Sequence, residues 1–167
     1  QKEIIACKPT YLALLTYAKD FGCNINWVPL DKNLRYDLNE ISRRTSKNTS
    51  MVFICNPNNP TGTMVGSTEL EDFCVSTSKQ TCVFVDEAYY DYSILDGYPT
   101  MIKLVKKDHN IIVSRTFSKI YGLAGVRIGY IISSPERISS IKKCTMAGTN
   151  MLATHAAMAA YDETDFF

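Results

Sequence analysis

Three short segments, Met51–Cys55, Thr81–Val85 and Ile111–Ser114, are apolar on both of the faces that a strand would present. A strand washed by water on one side alternates apolar with polar residues, whereas one apolar on both sides needs cover above and below. Between these runs lie stretches with helical spacing. Tyr11, Leu14, Leu15, Ala18 and Phe21 fall on one helical face, and Gly22 follows as a stop signal. Leu38–Thr45 reads as a short helix capped by Asp37, and Ser67–Ser78 as a longer one capped by Ser67. Ile4–Cys7, Asn24–Val28 and Val126–Ile132 read as further strands. Asp91–Thr100 reads as a loop, followed by a helix to Lys107; Pro135 opens another helix, and a last one covers Met151–Tyr161. The repeated strand–loop–helix rhythm predicts an α/β fold, a three-layer α-β-α sandwich with a mostly parallel sheet. With no repeats, low-complexity tracts or linkers, residues 1–167 read as one domain.

Composition removes several classes of function. The chain has 18 basic and 17 acidic residues and a net charge of +1, so no long-range field gathers nucleic acid or an anionic membrane. No apolar run approaches the roughly 20 residues of a membrane span. The six cysteines form no C-x-x-C pair, and several sit in apolar runs, where a free thiol acts as a small hydrophobe. His109 and His155 lie far from any cysteine cluster, so no metal site is expected. With no signal peptide in view, the expected compartment is the reducing cytoplasm. Asn48-Thr49-Ser50 fits the glycosylation triplet and is read as a chance match.

Polar residues able to do chemistry gather just after the strands: Asn56–Gly62, Asp86–Tyr89 and Ser114–Lys119. In open α/β sheets, ligands bind outside the carboxyl ends of the strands. Together these clusters supply what pyridoxal phosphate (PLP) requires. The cofactor needs a lysine for its aldehyde, a carboxylate at its pyridine nitrogen, and donors to its phenolic oxygen. Its phosphate needs hydroxyls, an arginine and free N–H groups. Lys119 stands among aromatics, glycines and hydroxyls, where burial is expected to lower its pKa and favour the neutral amine. Read alone, the same segment is also a glycine-loosened loop with a snorkelling lysine. Asp86 ends an apolar strand beside Glu87, and because side chains alternate only one of the two can face a given ligand. Asp86 is the closer to the strand. Asn59 and Tyr89 are candidate donors, although Asn-Asn-Pro-Thr-Gly is also a good turn without chemistry. Tyr11 could stack on a ring or belong to the core; Tyr90, Tyr92 and Tyr121 are taken as structural.

In this order, CNPNNPTG, VDEAYYDY and SRTFSKIYGLAGVRIGY resemble the signature segments of class I/II aminotransferases, closest to the histidinol-phosphate aminotransferase branch. The resemblance runs from about Cys7 to the last helix. It implies the fold type I large domain, with a mostly parallel seven-stranded sheet. It also implies roles: Lys119 as the Schiff-base lysine, Asp86 at the pyridine nitrogen, and Asn59 and Tyr89 at the phenolic oxygen. Thr116, Ser118 and Arg127 match the phosphate ligands, and Tyr11 the stacking aromatic. The implied reaction is transamination between an amino acid or amino-alcohol phosphate and a 2-oxo acid, in a homodimer. An upstream glycine-rich phosphate loop and a small C-terminal domain, both features of that family, lie outside this sequence, which reads as a large-domain fragment. Two other readings share the motifs: a PLP-dependent decarboxylase of a phosphorylated amino acid, and a non-catalytic PLP-binding regulatory module.

Overall fold

The computed structural model describes residues 2–93, 97–145 and 148–163. Its centre is a six-stranded sheet of β1 (Glu3–Lys8), β2 (Asn24–Pro29), β3 (Thr49–Cys55), β4 (Cys82–Asp86), β5 (Ile111–Thr116) and β6 (Gly129–Ile132). Their order across the sheet is β2-β1-β3-β4-β5-β6. The first five run parallel, and β6 returns antiparallel to β5. The sheet implied by the resemblance has one strand more than is found among the described residues.

Strand alternation sorts the core into two layers. Ile5, Val52, Ile54, Val83, Val85, Ile111 and Val113 share one face. Against it pack three helices: α2 (Leu38–Arg44) through Leu38 and Ile41, α3 (Ser67–Thr77) through Leu70 and Phe73, and α4 (Ile102–Val105) through Leu104 and Val105. Ile4, Ala6, Phe53 and Cys55 form the opposite layer with Leu15 of α1 (Ala13–Asp20). Side chains as deeply buried as Ile5, Phe53 and Leu70 each contribute roughly 1.5–3 kcal/mol through lost water contact. Two further helices, α5 (Pro135–Lys142) and α6 (Met151–Asp162), complete the described elements. None of the helices is long and apolar enough to cross a membrane.

Helix ends follow local chemistry, with some departures from expectation. Asp37 caps α2, its Oδ1 accepting the Glu40 N–H at 2.9 Å. Ser67 does not cap α3: Gly66 holds the cap position, no side chain bonds there, and Ser67 is the first helical residue. The helix expected up to Lys107 is confined to α4. Tyr90–Tyr92 makes a 3-10 turn inside or beside the expected loop, and residues 94–96 lie outside the described residues. The strand expected from Val126 begins only at Gly129. Ala124–Val126 is a 3-10 turn, and Arg127 takes a left-handed conformation (φ 58°, ψ 57°) that no strand accommodates. Of the cysteines in apolar runs, Cys55 is buried as expected and Cys82 only half-buried; Cys7 and Cys74 are also buried, Cys23 is half-buried and Cys144 exposed.

Candidate active site

Parallel register puts a row of side chains at one edge of the sheet. Cys55 of β3 pairs with Asp86 of β4, which pairs with Ser114 of β5. All three line a cavity of about 330 Å³. The chain beyond each strand folds back over this edge, so Tyr11, Asn59, Tyr89, Thr116, Ser118, Lys119 and Arg127 line the same cavity. Every residue matched to a cofactor role in the sequence therefore lines one cavity. Cys55, Ala88, Ser114, Arg115 and Ala124 also line it, with no role marked in the sequence. Ser114 could have been found from the strand-end rule that picked Asp86, because it sits one strand over in register.

Asp86 and Glu87 divide as alternation requires. Asp86 Oδ1 accepts the Ser114 hydroxyl at 2.9 Å and the Ala88 N–H at 3.1 Å. Burial pushes its carboxyl above the usual carboxylate range, opposed by those two hydrogen bonds and by the Lys119 charge. Glu87 is turned to the other face. Its carboxylate accepts the Met101 N–H, the Thr100 hydroxyl and two Arg115 nitrogens.

Lys119 departs from expectation. It is exposed rather than enclosed, with Nζ 4.8 Å from the centre of the Tyr89 ring. A hydrogen bond to the Tyr89 phenol raises its pKa above the ordinary amine value; desolvation, which alone would lower it, is the smaller effect. Its aromatic neighbours in sequence leave it exposed at the cavity, and the expected lowering of its pKa by burial is not found.

The remaining groups are held from behind. Asn59 Nδ2 donates to Tyr89 Oη at 3.4 Å. Thr116 Oγ1 accepts the Ser118 N–H at 3.1 Å, which folds the turn that presents both hydroxyls. Arg127 reaches back to the Ala124 carbonyl at 2.7 Å and the Ser118 hydroxyl at 3.4 Å. The turn after β3 is anchored through Asn56, which accepts the Val65 N–H and donates to the Tyr98 hydroxyl. A carboxylate, an amine, a guanidinium and hydroxyls thus share one hollow with the phenols of Tyr11 and Tyr89.

Residues 1–166 match the family described as aminotransferase class I and II. The chain belongs to that family. Among aminotransferases it is similar to histidinol-phosphate aminotransferase 2 of Bacillus cereus, with 42% identity over 98% of this chain and 45% of the relative. It is also similar to histidinol-phosphate aminotransferase of Staphylococcus carnosus, with 41% identity over 83% of this chain and 40% of the relative. The crystal structure of histidinol-phosphate aminotransferase from Sinorhizobium meliloti in complex with pyridoxal-5'-phosphate superposes with a TM-score of 0.87. That comparison shows 29% identity and covers 99% of this chain and 45% of the other. The chain thus spans about half the length of these aminotransferases.

Proposed function

We propose that the whole protein is a PLP-dependent aminotransferase that moves an amino group between an amino acid or amino-alcohol phosphate and a 2-oxo acid. Family membership and the relatives' names support this reading. The observation that carries it is that Lys119, Asp86 and Arg127, far apart along the chain, line one cavity with Asn59, Tyr89, Thr116 and Ser118.

The donor set fits the cofactor. Asp86 is a buried carboxylate whose two hydrogen bonds both end on Oδ1, so Oδ2 takes neither. Such a group would hold a proton on the pyridine nitrogen. Arg127 with the Thr116 and Ser118 hydroxyls suits a phosphate, and Asn59 with Tyr89 suits the phenolic oxygen. Tyr11 supplies an aromatic face. PLP, when bound, provides an aldehyde that links to amines and a ring that draws electrons from the adjoining carbon. Lys119 would hold that aldehyde and, once released by an amino substrate, carry the proton at the substrate's α-carbon through Nζ.

A histidinol-phosphate-like donor is the finer form of this proposal, drawn from the relatives' names. The cytoplasm as its compartment agrees with free cysteines throughout. A homodimer, implied by the resemblance, belongs to the same proposal.

The test uses the whole protein. PLP is expected to give an absorbance band near the visible, which borohydride fixes onto Lys119; label on another lysine would refute the assignment. Lys119→Ala is expected to lower turnover by roughly 10³-fold or more while leaving the fold intact. Product analysis with amino donors separates transamination, which yields a keto product and an aminated cofactor, from decarboxylation, which releases carbon dioxide.

A further inference from the structure

Behind the cavity lies a buried polar chain that the chemistry above does not use. Tyr36, between β2 and α2, is 4% exposed, and burial raises its phenol beyond its ordinary range. Its hydroxyl stands 2.6 Å from Thr10 Oγ1 and accepts the Cys55 N–H at 3.1 Å. Thr10 Oγ1 donates to Asn58 Oδ1 at 2.9 Å. Asn58 Nδ2 donates to the Pro9 carbonyl at 3.2 Å and to Thr61 Oγ1 at 2.8 Å.

The proton directions follow from what each atom can do. A carbonyl can only accept, so the Asn58 amide nitrogen faces Pro9 and its oxygen faces Thr10. Thr10 spends its single hydroxyl proton on that oxygen at 2.9 Å, so Tyr36 donates to Thr10 at 2.6 Å, the shorter of its two contacts; the same Asn58 oxygen lies 3.4 Å from the Tyr36 hydroxyl. The bonds therefore run in series from the Cys55 N–H through Tyr36 and Thr10 to Asn58. Bonds in series polarise one another, and a half-broken buried chain is costly.

Each end of this chain reaches the cavity wall. Thr10 precedes Tyr11, Asn58 precedes Asn59, and Cys55 lines the cavity itself; Tyr36, Thr10 and Asn58 do not. We propose that Tyr36 is a positioning residue, whose hydroxyl holds the three segments that bring Tyr11, Cys55 and Asn59 to the cofactor and so sets the seat of the ring. The inference rests on the PLP reading of the cavity. A phenol that merely fills the core would lower stability when truncated and leave the bound cofactor's surroundings alone.

Tyr36→Phe keeps the ring and leaves the Cys55 N–H without its acceptor. In the whole protein loaded with PLP, two quantities separate the roles: the dissociation constant of PLP, and the visible circular dichroism per bound cofactor, which reports asymmetry around the ring. Roughly tenfold weaker binding is expected, the scale of one buried hydrogen bond, together with altered visible dichroism. Thr10→Val should reproduce both changes, Thr10→Ser should restore the wild-type signature, and the Tyr36→Phe/Thr10→Val pair should add little to either single change. Unchanged binding and dichroism in Tyr36→Phe, with only a lower denaturation midpoint, would overturn the proposal. Should that variant not fold, the contrast between Thr10→Val and Thr10→Ser decides in the same way. Wild-type protein that binds no PLP would remove the cavity reading and this inference together.

Discussion

Asp86 shows how one side chain can trade stability for chemistry. Its carboxyl titrates above the ordinary range because the sheet edge takes it out of water, even though Ser114, Ala88 and Lys119 favour its charged form. A carboxyl with a raised folded-state pKa binds its proton more tightly in the folded protein. Stability is therefore lost as pH rises from the unfolded value through the folded one, and stays lower above that window. Asp86→Asn keeps an oxygen for both hydrogen bonds and removes the buried charge. The cofactor-free protein should then gain about 1 kcal/mol near neutral pH, a typical size for a single change. The gain should vanish in acid below the ordinary carboxylate range, where Asp86 is protonated in both states. Urea denaturation at the two pH values measures this. In the loaded whole protein the same change should slow the half-reaction severely, since a neutral amide cannot hold the proton on a pyridine nitrogen.

At the scale of elements, β6 approaches β5 tightly at Gly129. A Cβ at Gly129 would stand 2.8 Å from the Arg115 carbonyl oxygen and 3.5 Å from the Thr116 Cα, both backbone atoms that cannot swing aside. Gly129→Ala should therefore push the strands apart and cost roughly 2 kcal/mol, within the range for overpacking. Gly125→Ala, with nothing within 4 Å of its Cβ, should change the denaturation midpoint little, by under about 0.5 kcal/mol. These elements were not equally readable. The strands β3, β4 and β5 announce themselves because they are apolar on both faces, and their register alone gathers Cys55, Asp86 and Ser114. The start of β6 was misplaced because Val126 and Ile128 look like strand residues, while the left-handed turn at Arg127 between them has no compositional mark. The cap of α3 was misplaced by one residue because glycine and serine serve that position almost equally well. Lys119 is exposed against expectation for a different reason: neighbours along the chain do not say how much protein lies above a side chain.

Across the molecule, what escaped the sequence is what ties distant segments together. Glu87 and Arg115 are 28 residues apart and form an ion pair at 2.8 Å on the face of the sheet away from Asp86. Arg115 lies 3.8 Å over the Tyr90 ring, with Asp91 3.7 Å from its guanidinium, while Glu87 also holds Thr100 and the Met101 N–H at the entry to α4. The end of β4, the 3-10 turn, β5 and α4 are thus joined through one carboxylate that is 3% exposed. Glu87→Gln preserves the shape and an acceptor for the Met101 N–H but removes the charge, leaving the more distant Asp91, 3.7 Å away, as the carboxylate paired with the Arg115 cation among the described residues. Breaking one side of a buried pair strands the other charge out of water, so a loss of roughly 3 kcal/mol is expected. Denaturant titration should show this as a lower midpoint with an unchanged slope. The change should appear at neutral pH, where Asp86→Asn is expected to act in the opposite sense. Two adjacent carboxylates, separated only by the alternation of a strand, would then move stability in opposite directions: the one facing the cavity costs the fold, and the one facing the helices supports it. Equal and like-signed effects would mean that the two side chains do not face opposite layers, and the assignment of Asp86 to the cavity would fall with that.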